Sequence, residues 1–228
     1  LRRGKATIKA KWDNRIAMYT GDYIFARSLE MMTKLDDIEA HRILSNTLVE
    51  LCKGEIEQIR DKYNYGQNLR TYLRRIKRKT AILIAVSCQL GAITAGVPAS
   101  VHQSLYWFGY YVGMSFQITD DILDFTSTEE QLGKPAGSDL LQGNITLPVL
   151  YAMENPVLNE KIRQIHEQSD ANEIKEIIDL IKSSDAIQRS FALSDRYLEK
   201  AFKELEKLPN GIAKRTFNNV AKYIGKRK

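Results

Sequence analysis

Apolar and polar positions alternate along this chain with the period of an α-helix, and no stretch keeps the two-residue alternation of a half-buried strand. Leu44, Thr47, Leu48, Leu51 and Glu55 recur at helical spacing, as do Leu69, Tyr72, Leu73, Ile76, Thr80, Leu83 and Ser87. The second set predicts a helix over 68–91 that is amphipathic as far as Lys79 and apolar all round beyond it. Ser100 follows Pro98 and precedes Gln103 by three, a capping box that starts a long helix. On that helix Gly109 and Gly113 mark points where a neighbour approaches closely. Pro148 opens another helix at Thr146, and more are predicted over 159–168, 171–182, 185–205 and 212–223. Segment 126–144, rich in Gly, Ser and Thr, reads as a long loop of the kind that carries function. The pattern predicts an all-α helical bundle. With no proline- or glycine-rich linker to divide it, 1–228 is expected to be a single domain.

Residues 80–119 contain no Asp, Glu, Lys or Arg, a run long enough to raise the question of a membrane hairpin. Gly96-Val97-Pro98 breaks it, Ser87, Gln89, His102, Gln103 and Gln117 dilute it, and three acids follow that lipid would disfavour. Two buried helices of a bundle are the expectation, with no transmembrane segment.

Those acids carry the chemistry. With Asp120 at zero and about 100° per residue, Asp124 falls near 40°, Gln117 near 60° and Asp121 near 100°. All four share one quarter of the helix, while Phe116, Ile118, Ile122, Leu123 and Phe125 take the rest. Such a helix cannot turn its acids to bulk water without exposing large apolar side chains, so the stripe is expected to line a cleft. Three carboxylates crowded there resist ionisation unless a cation neutralises them, and hard oxygen ligands favour Mg2+ or Ca2+ over zinc. Lys79-Thr80 lies at the change of character of its helix, which places Lys79 at the mouth of the same interior, where a phosphate contact fits. Lys134, in the loop after the acids, is within reach of anything the metal holds. Asp22 reads as a buried, paired structural carboxylate, and an Arg2-Arg3 pair is by itself a surface feature.

Composition narrows the picture. A net charge of +6 is modest, and its two concentrations, residues 70–79 and 222–228, read as solvated faces; the Lys226-Arg227-Lys228 tail is expected to be a frayed terminus, with closure over whatever the site holds as the alternative. They also motivate a rival reading, a basic helical nucleic-acid binder, which predicts steeply salt-dependent binding. Cys52 and Cys88 lie in apolar helical stretches without metal or redox spacing and read as reduced core residues of a cytoplasmic protein.

Phe116-Gln117-Ile118-Thr119-Asp120-Asp121-Ile122-Leu123-Asp124, the loop Gly133-Lys134-Pro135-Ala136-Gly137-Ser138-Asp139 and Thr146-Leu147-Pro148 resemble the trans-isoprenyl diphosphate synthases, whose second aspartate-rich motif the acids match. Leu1-Arg2-Arg3-Gly4 is similar to the segment after that family's first aspartate-rich motif, Gly21-Asp22-Tyr23 to its next helix signature, and Lys79-Thr80 to its diphosphate-binding pair. The flavour is that of the larger, catalytic subunit of two-component hexaprenyl or heptaprenyl diphosphate synthases. The resemblance implies an isoprenoid-synthase bundle around a central cavity, with amino-terminal helices and the first motif lying ahead of Leu1. It implies that Asp120, Asp121 and Asp124 bind Mg2+ bridging an allylic diphosphate, with Gln117 bonded inside the site. Lys79, Thr80, Lys134 and Arg2 would hold that diphosphate, and Arg3 the isopentenyl diphosphate. Many relatives carry Lys where Asn144 stands, so one contact is expected to be missing or supplied by a partner. That partner would be a small regulatory subunit, a second copy, or both, and the lipid product would link the enzyme to membranes. A shorter-chain farnesyl or geranylgeranyl synthase is the alternative within the family.

Overall fold

A computed structural model describes residues 5–128 and 136–227. Arg2, Arg3, Gly133, Lys134 and Lys228 lie outside the described residues. The helices are α1 (Ile8–Lys11), α2 (Asn14–Met32), α3 (Ile38–Arg60) and α4 (Leu69–Ile76), a π-helical turn (Lys77–Ala81), then α5 (Ile82–Thr94) and α6 (Ala99–Thr126). After them come α7 (Ser138–Leu141), α8 (Leu147–Ala152), α9 (Pro156–Arg163), α10 (Ala171–Ser183), α11 (Ala186–Glu206) and α12 (Ile212–Gly225). No β-strand forms among the described residues, and none of their helices is long and apolar enough to cross a membrane.

The apolar helix α6 is the hub, flanked by α5 on one side and α11 on the other. Small residues let α5 come close. A Cβ on Gly109 would lie 2.7 Å from the Ala85 Cα, and one on Gly113 only 2.6 Å from the Ala81 Cα. On the other flank Ser194 of α11 meets Ser115 at 2.8 Å and Thr119 at 3.0 Å, pairing buried hydroxyls that would otherwise lose water without return. Around this axis lie two apolar clusters. One gathers Tyr72, Met114, Ile118, Ile122 and Phe125 with α8, α9 and α10, and the other gathers Leu105, Phe108 and Val112 with Leu198, Leu205 and Ile224.

Several expectations are corrected. α6 begins at Ala99 behind Pro98, with no side-chain cap, so Ser100 lies inside the first turn and forms no capping box. The helix expected over 159–168 runs earlier, because Asn155 caps it and Pro156 takes the first position. Cys52 is exposed and Cys88 only half-buried; burial pushes the Cys88 thiol up to about 11. Asp22 is exposed, as is nearly all of α2, although that helix carries Tyr19, Tyr23, Ile24 and Phe25. Val49, Ile56 and Ile59 of α3 are exposed as well. Helical period reports that a face is apolar. It does not report whether another element of the same chain covers it.

Candidate active site

The site is built where α4 and the π turn lie against the last third of α6. Arg78 anchors the turn to α3, with Nε 2.8 Å from Glu50 Oε2 and Nη1 2.5 Å from Glu57 Oε1. Gly54 makes room for this contact, since a Cβ there would sit 2.8 Å from the Arg78 Cβ. Widening a helix by one residue per turn re-aims the side chains within it. Here Lys79 leans outward, its Nζ donating to Gln58 Oε1 at 2.9 Å, while Thr80 turns inward.

A relay of neutral donors fixes Asp121. Thr80 Oγ1 donates to Gln117 Oε1 at 2.6 Å, Gln117 Nε2 donates to Asp121 Oδ1 at 2.9 Å, and Tyr72 Oη donates to Asp121 Oδ2 at 2.7 Å. Burial pushes the Asp121 carboxyl up to about 7, against the donors Tyr72 and Gln117, which pull it down. The same burial, with Asp121 beside it, carries the Tyr72 hydroxyl well above its usual range, so Tyr72 stays the donor.

Asp120, with 52% of its side chain exposed, stands one residue outward from Asp121. Both border a polar cleft of about 160 Å3 shared with Gln58, Arg75, Lys79, Gln117, Asp139, Asn144 and Thr146. A larger apolar cavity of about 510 Å3 lies toward the other end of α5 and α6, bordered by Cys88, Val101, Leu105 and Phe217. Leu105 is fifteen residues from Asp120 on one helix, about 22 Å away. The acids and cations are therefore served by the smaller cleft.

Arg75 and Asp139 are site residues that sequence reasoning missed. Arg75 is buried: Nη1 donates to Gln67 Oε1 at 2.6 Å, Nη2 donates to the Ile145 carbonyl, and its Cζ lies 5.7 Å from the Tyr72 ring centroid. Segment 70–79 is thus not simply a solvated face. The signal was present, because Arg75 falls in the same register as Tyr72 and Ile76. Asp139 was readable only as part of the loop motif.

The structure parts Asp124 from the other two acids. Its carboxylate is buried, with Ser138 Oγ donating to Oδ1 at 2.9 Å and the Asp139 N–H to Oδ2 at 3.0 Å. The Gly137 N–H donates to the Asp124 carbonyl at 2.7 Å. Asp124 therefore holds the returning loop against α6 and delivers Asp139 to the cleft. Gly137 adopts φ +69°, and a Cβ there would come within 2.3 Å of Ile178, two reasons for glycine at that turn.

The donor set suits a hard divalent cation. Oxygen ligands from Asp120, Asp121 and Asp139 line one cleft, and buried Thr146 Oγ1 has no hydrogen-bond partner among the described residues. No three acids, histidines or cysteines among the described residues form a ready-made cage. A cation here would need ligands from water or an anionic substrate as well, as magnesium usually does. Arg75 and Lys79 border the same cleft and bring positive charge beside the place of such an anion.

A family model described as polyprenyl synthetase matches residues 1–181. The heptaprenyl diphosphate synthase component 2 of Bacillus subtilis (strain 168) is 66% identical over 228 residues, covering 100% of this chain and 66% of that protein. The protein of the same name from Geobacillus stearothermophilus is 63% identical over 227 residues, covering 100% of this chain and 71% of that one. The crystal structure of heptaprenyl diphosphate synthase from Staphylococcus aureus matches with a TM-score of 0.97 at 45% identity, over 99% of this chain and 71% of that one. Polyprenyl synthase from Caulobacter crescentus CB15, complexed with calcium and isoprenyl diphosphate, matches with a TM-score of 0.93 at 29% identity, over 100% of this chain and 71% of that one. This chain thus spans 66% and 71% of the two heptaprenyl relatives' lengths. With the helical fold and the acid-lined cleft in agreement, the chain belongs to the polyprenyl synthetase family.

Proposed function

We propose that this chain carries the magnesium- and diphosphate-binding half of a trans-prenyltransferase. The enzyme joins isopentenyl diphosphate to an allylic diphosphate and builds a medium-chain, all-trans polyprenyl diphosphate of hexaprenyl or heptaprenyl size, the menaquinone side chain. The observation that carries this reading is the cleft itself, where Asp120 and Asp121 of α6 and Arg75 and Lys79 share one polar space. The names of the relatives support the product size.

Asp120 and Asp121, with Asp139 beside them, are the residues that would hold magnesium. When bound, the ion neutralises charge that builds on the diphosphate as the allylic C–O bond breaks. The chain's own groups prepare that event. Tyr72 and the Thr80–Gln117 pair fix Asp121 from behind, so the acid need not reorganise when the anion arrives. Arg75 is fixed and charged, and Lys79 needs only to release Gln58 to reach a phosphate oxygen. Arg2, Arg3 and Lys134 belong to the same proposal as diphosphate contacts. The C–O bonding pair leaves with the diphosphate, the isopentenyl double bond forms the new C–C bond to the allylic carbon, and the adduct then loses a proton. No nucleophilic Ser or Cys is needed.

The relatives named component 2 point to a partner, and we place a small second subunit, a second copy of the chain, or both beside it. The cytoplasm, where Cys52 and Cys88 stay unbridged, is the proposed location, with membranes reached through the lipid product. The test is calorimetric binding of an unreactive allylic diphosphate analogue. Binding should require magnesium and be lost in Asp120→Ala. Binding of equal strength without metal, or undiminished in Asp120→Ala, would refute the assignment.

A further inference from the structure

Arg227, just past the carboxyl end of α12, docks on Asp120. Helical bonding continues past the cap, the Arg227 N–H donating to the Ile224 carbonyl at 3.2 Å, so the tail is not frayed at Arg227. The guanidinium carbon stands 4.6 Å from the Phe116 ring centroid, and Nη2 stands 3.4 Å from Asp120 Oδ1. Phe116 and Asp120 are one turn apart on α6, so ring and carboxylate form a single seat. Only 27% of the Arg227 side chain remains exposed, and Nη1 is buried without a hydrogen-bond partner among the described residues. A charged nitrogen stripped of water is unfavourable unless its surroundings compensate. Here an aromatic face and a carboxylate do so.

Asp120 is the most exposed of the three acids on α6, and it borders the cleft. A cation seated against it meets whatever cation arrives from solution. We propose that Arg227 is a positioning residue of the metal site, a resident counter-ion that holds Asp120 in the metal-free protein and is displaced when a divalent cation binds there. This rests on the reading of Asp120 as a metal ligand. The guanidinium occupies one carboxylate oxygen and adds positive potential beside the place the metal takes, so it opposes metal binding. Linkage is reciprocal: metal on Asp120 loosens Arg227 and with it the end of α12.

The test is calorimetric titration of Mg2+ at low ionic strength into the wild-type chain, Arg227→Gln, Arg227→Lys and Asp120→Asn, with thermal unfolding to confirm folding. Arg227→Gln should bind Mg2+ about threefold to tenfold more tightly than wild type, an advantage that shrinks as salt is added. Arg227→Lys, which keeps the charge, should match wild type. An affinity unchanged or weakened in Arg227→Gln overturns the counter-ion role alone, as does Arg227→Lys behaving like Arg227→Gln. Mg2+ binding undiminished in Asp120→Asn overturns the metal-ligand reading and this proposal with it, as does binding absent from every chain both with Mg2+ alone and with inorganic diphosphate added.

Discussion

Two acids four residues apart on one helix stand in opposite settings. Asp120 is half exposed and borders the cleft, whereas Asp124 is buried and accepts from Ser138 and Asp139. Hydrogen bonds to a buried carboxylate are worth about 1.5–3 kcal/mol each, so Asp124→Ala should destabilise the fold by at least about 2 kcal/mol. Asp120→Ala should stay within about 0.5 kcal/mol of wild type. Chemical denaturation of the two variants checks this, and equal losses would put both acids in one role. The acidic stripe was legible in the sequence because helical period alone brings Gln117, Asp120 and Asp121 together. The departure of Asp124 was not, because it depends on a loop returning from outside the helix to the end of α6. Arg75 was obscured in a different way: a run of basic residues reads as a surface until each is assigned to a face.

Helix α5 and the π turn meet α6 through small residues, and this closeness sets the Thr80–Gln117–Asp121 relay. Gly113→Ala would press a methyl group against the Ala81 Cα, where backbone cannot step aside. The expected cost is about 1–3 kcal/mol of stability. The same change should weaken binding of the allylic diphosphate analogue, because a displaced Thr80 releases Gln117. Thermal unfolding together with calorimetry tests both parts; a stable variant with unchanged binding would show that the close approach is incidental. At this scale the sequence was informative where periodicity is long and uninterrupted. Gly109 and Gly113 were readable as contact points, and α10 and α11 begin and end within a residue or two of expectation. It was uninformative about α2, whose apolar face is exposed in this chain.

For the molecule as a whole, the prediction is a thermal one. A ligand that binds only the folded state at about a hundred times its dissociation constant adds about 2.7 kcal/mol, which for a chain of this size raises the melting point by about 5–10 °C. Magnesium with the diphosphate analogue should produce that rise in wild type and none in Asp120→Ala, as followed by differential scanning calorimetry. The π turn bears on how such a site is kept in register with the distant end of the bundle. Buried apolar positions run Tyr72 to Ile76, a step of four, then Ile76 to Ala81, a step of five, and then Ala81 to Ala85, four again. The extra residue acts as a frame shift in three dimensions. It advances everything downstream by about 100°, so that a segment facing the acids and one sealed against glycines run as a single rod, although no straight α-helix bearing this sequence has both faces in phase.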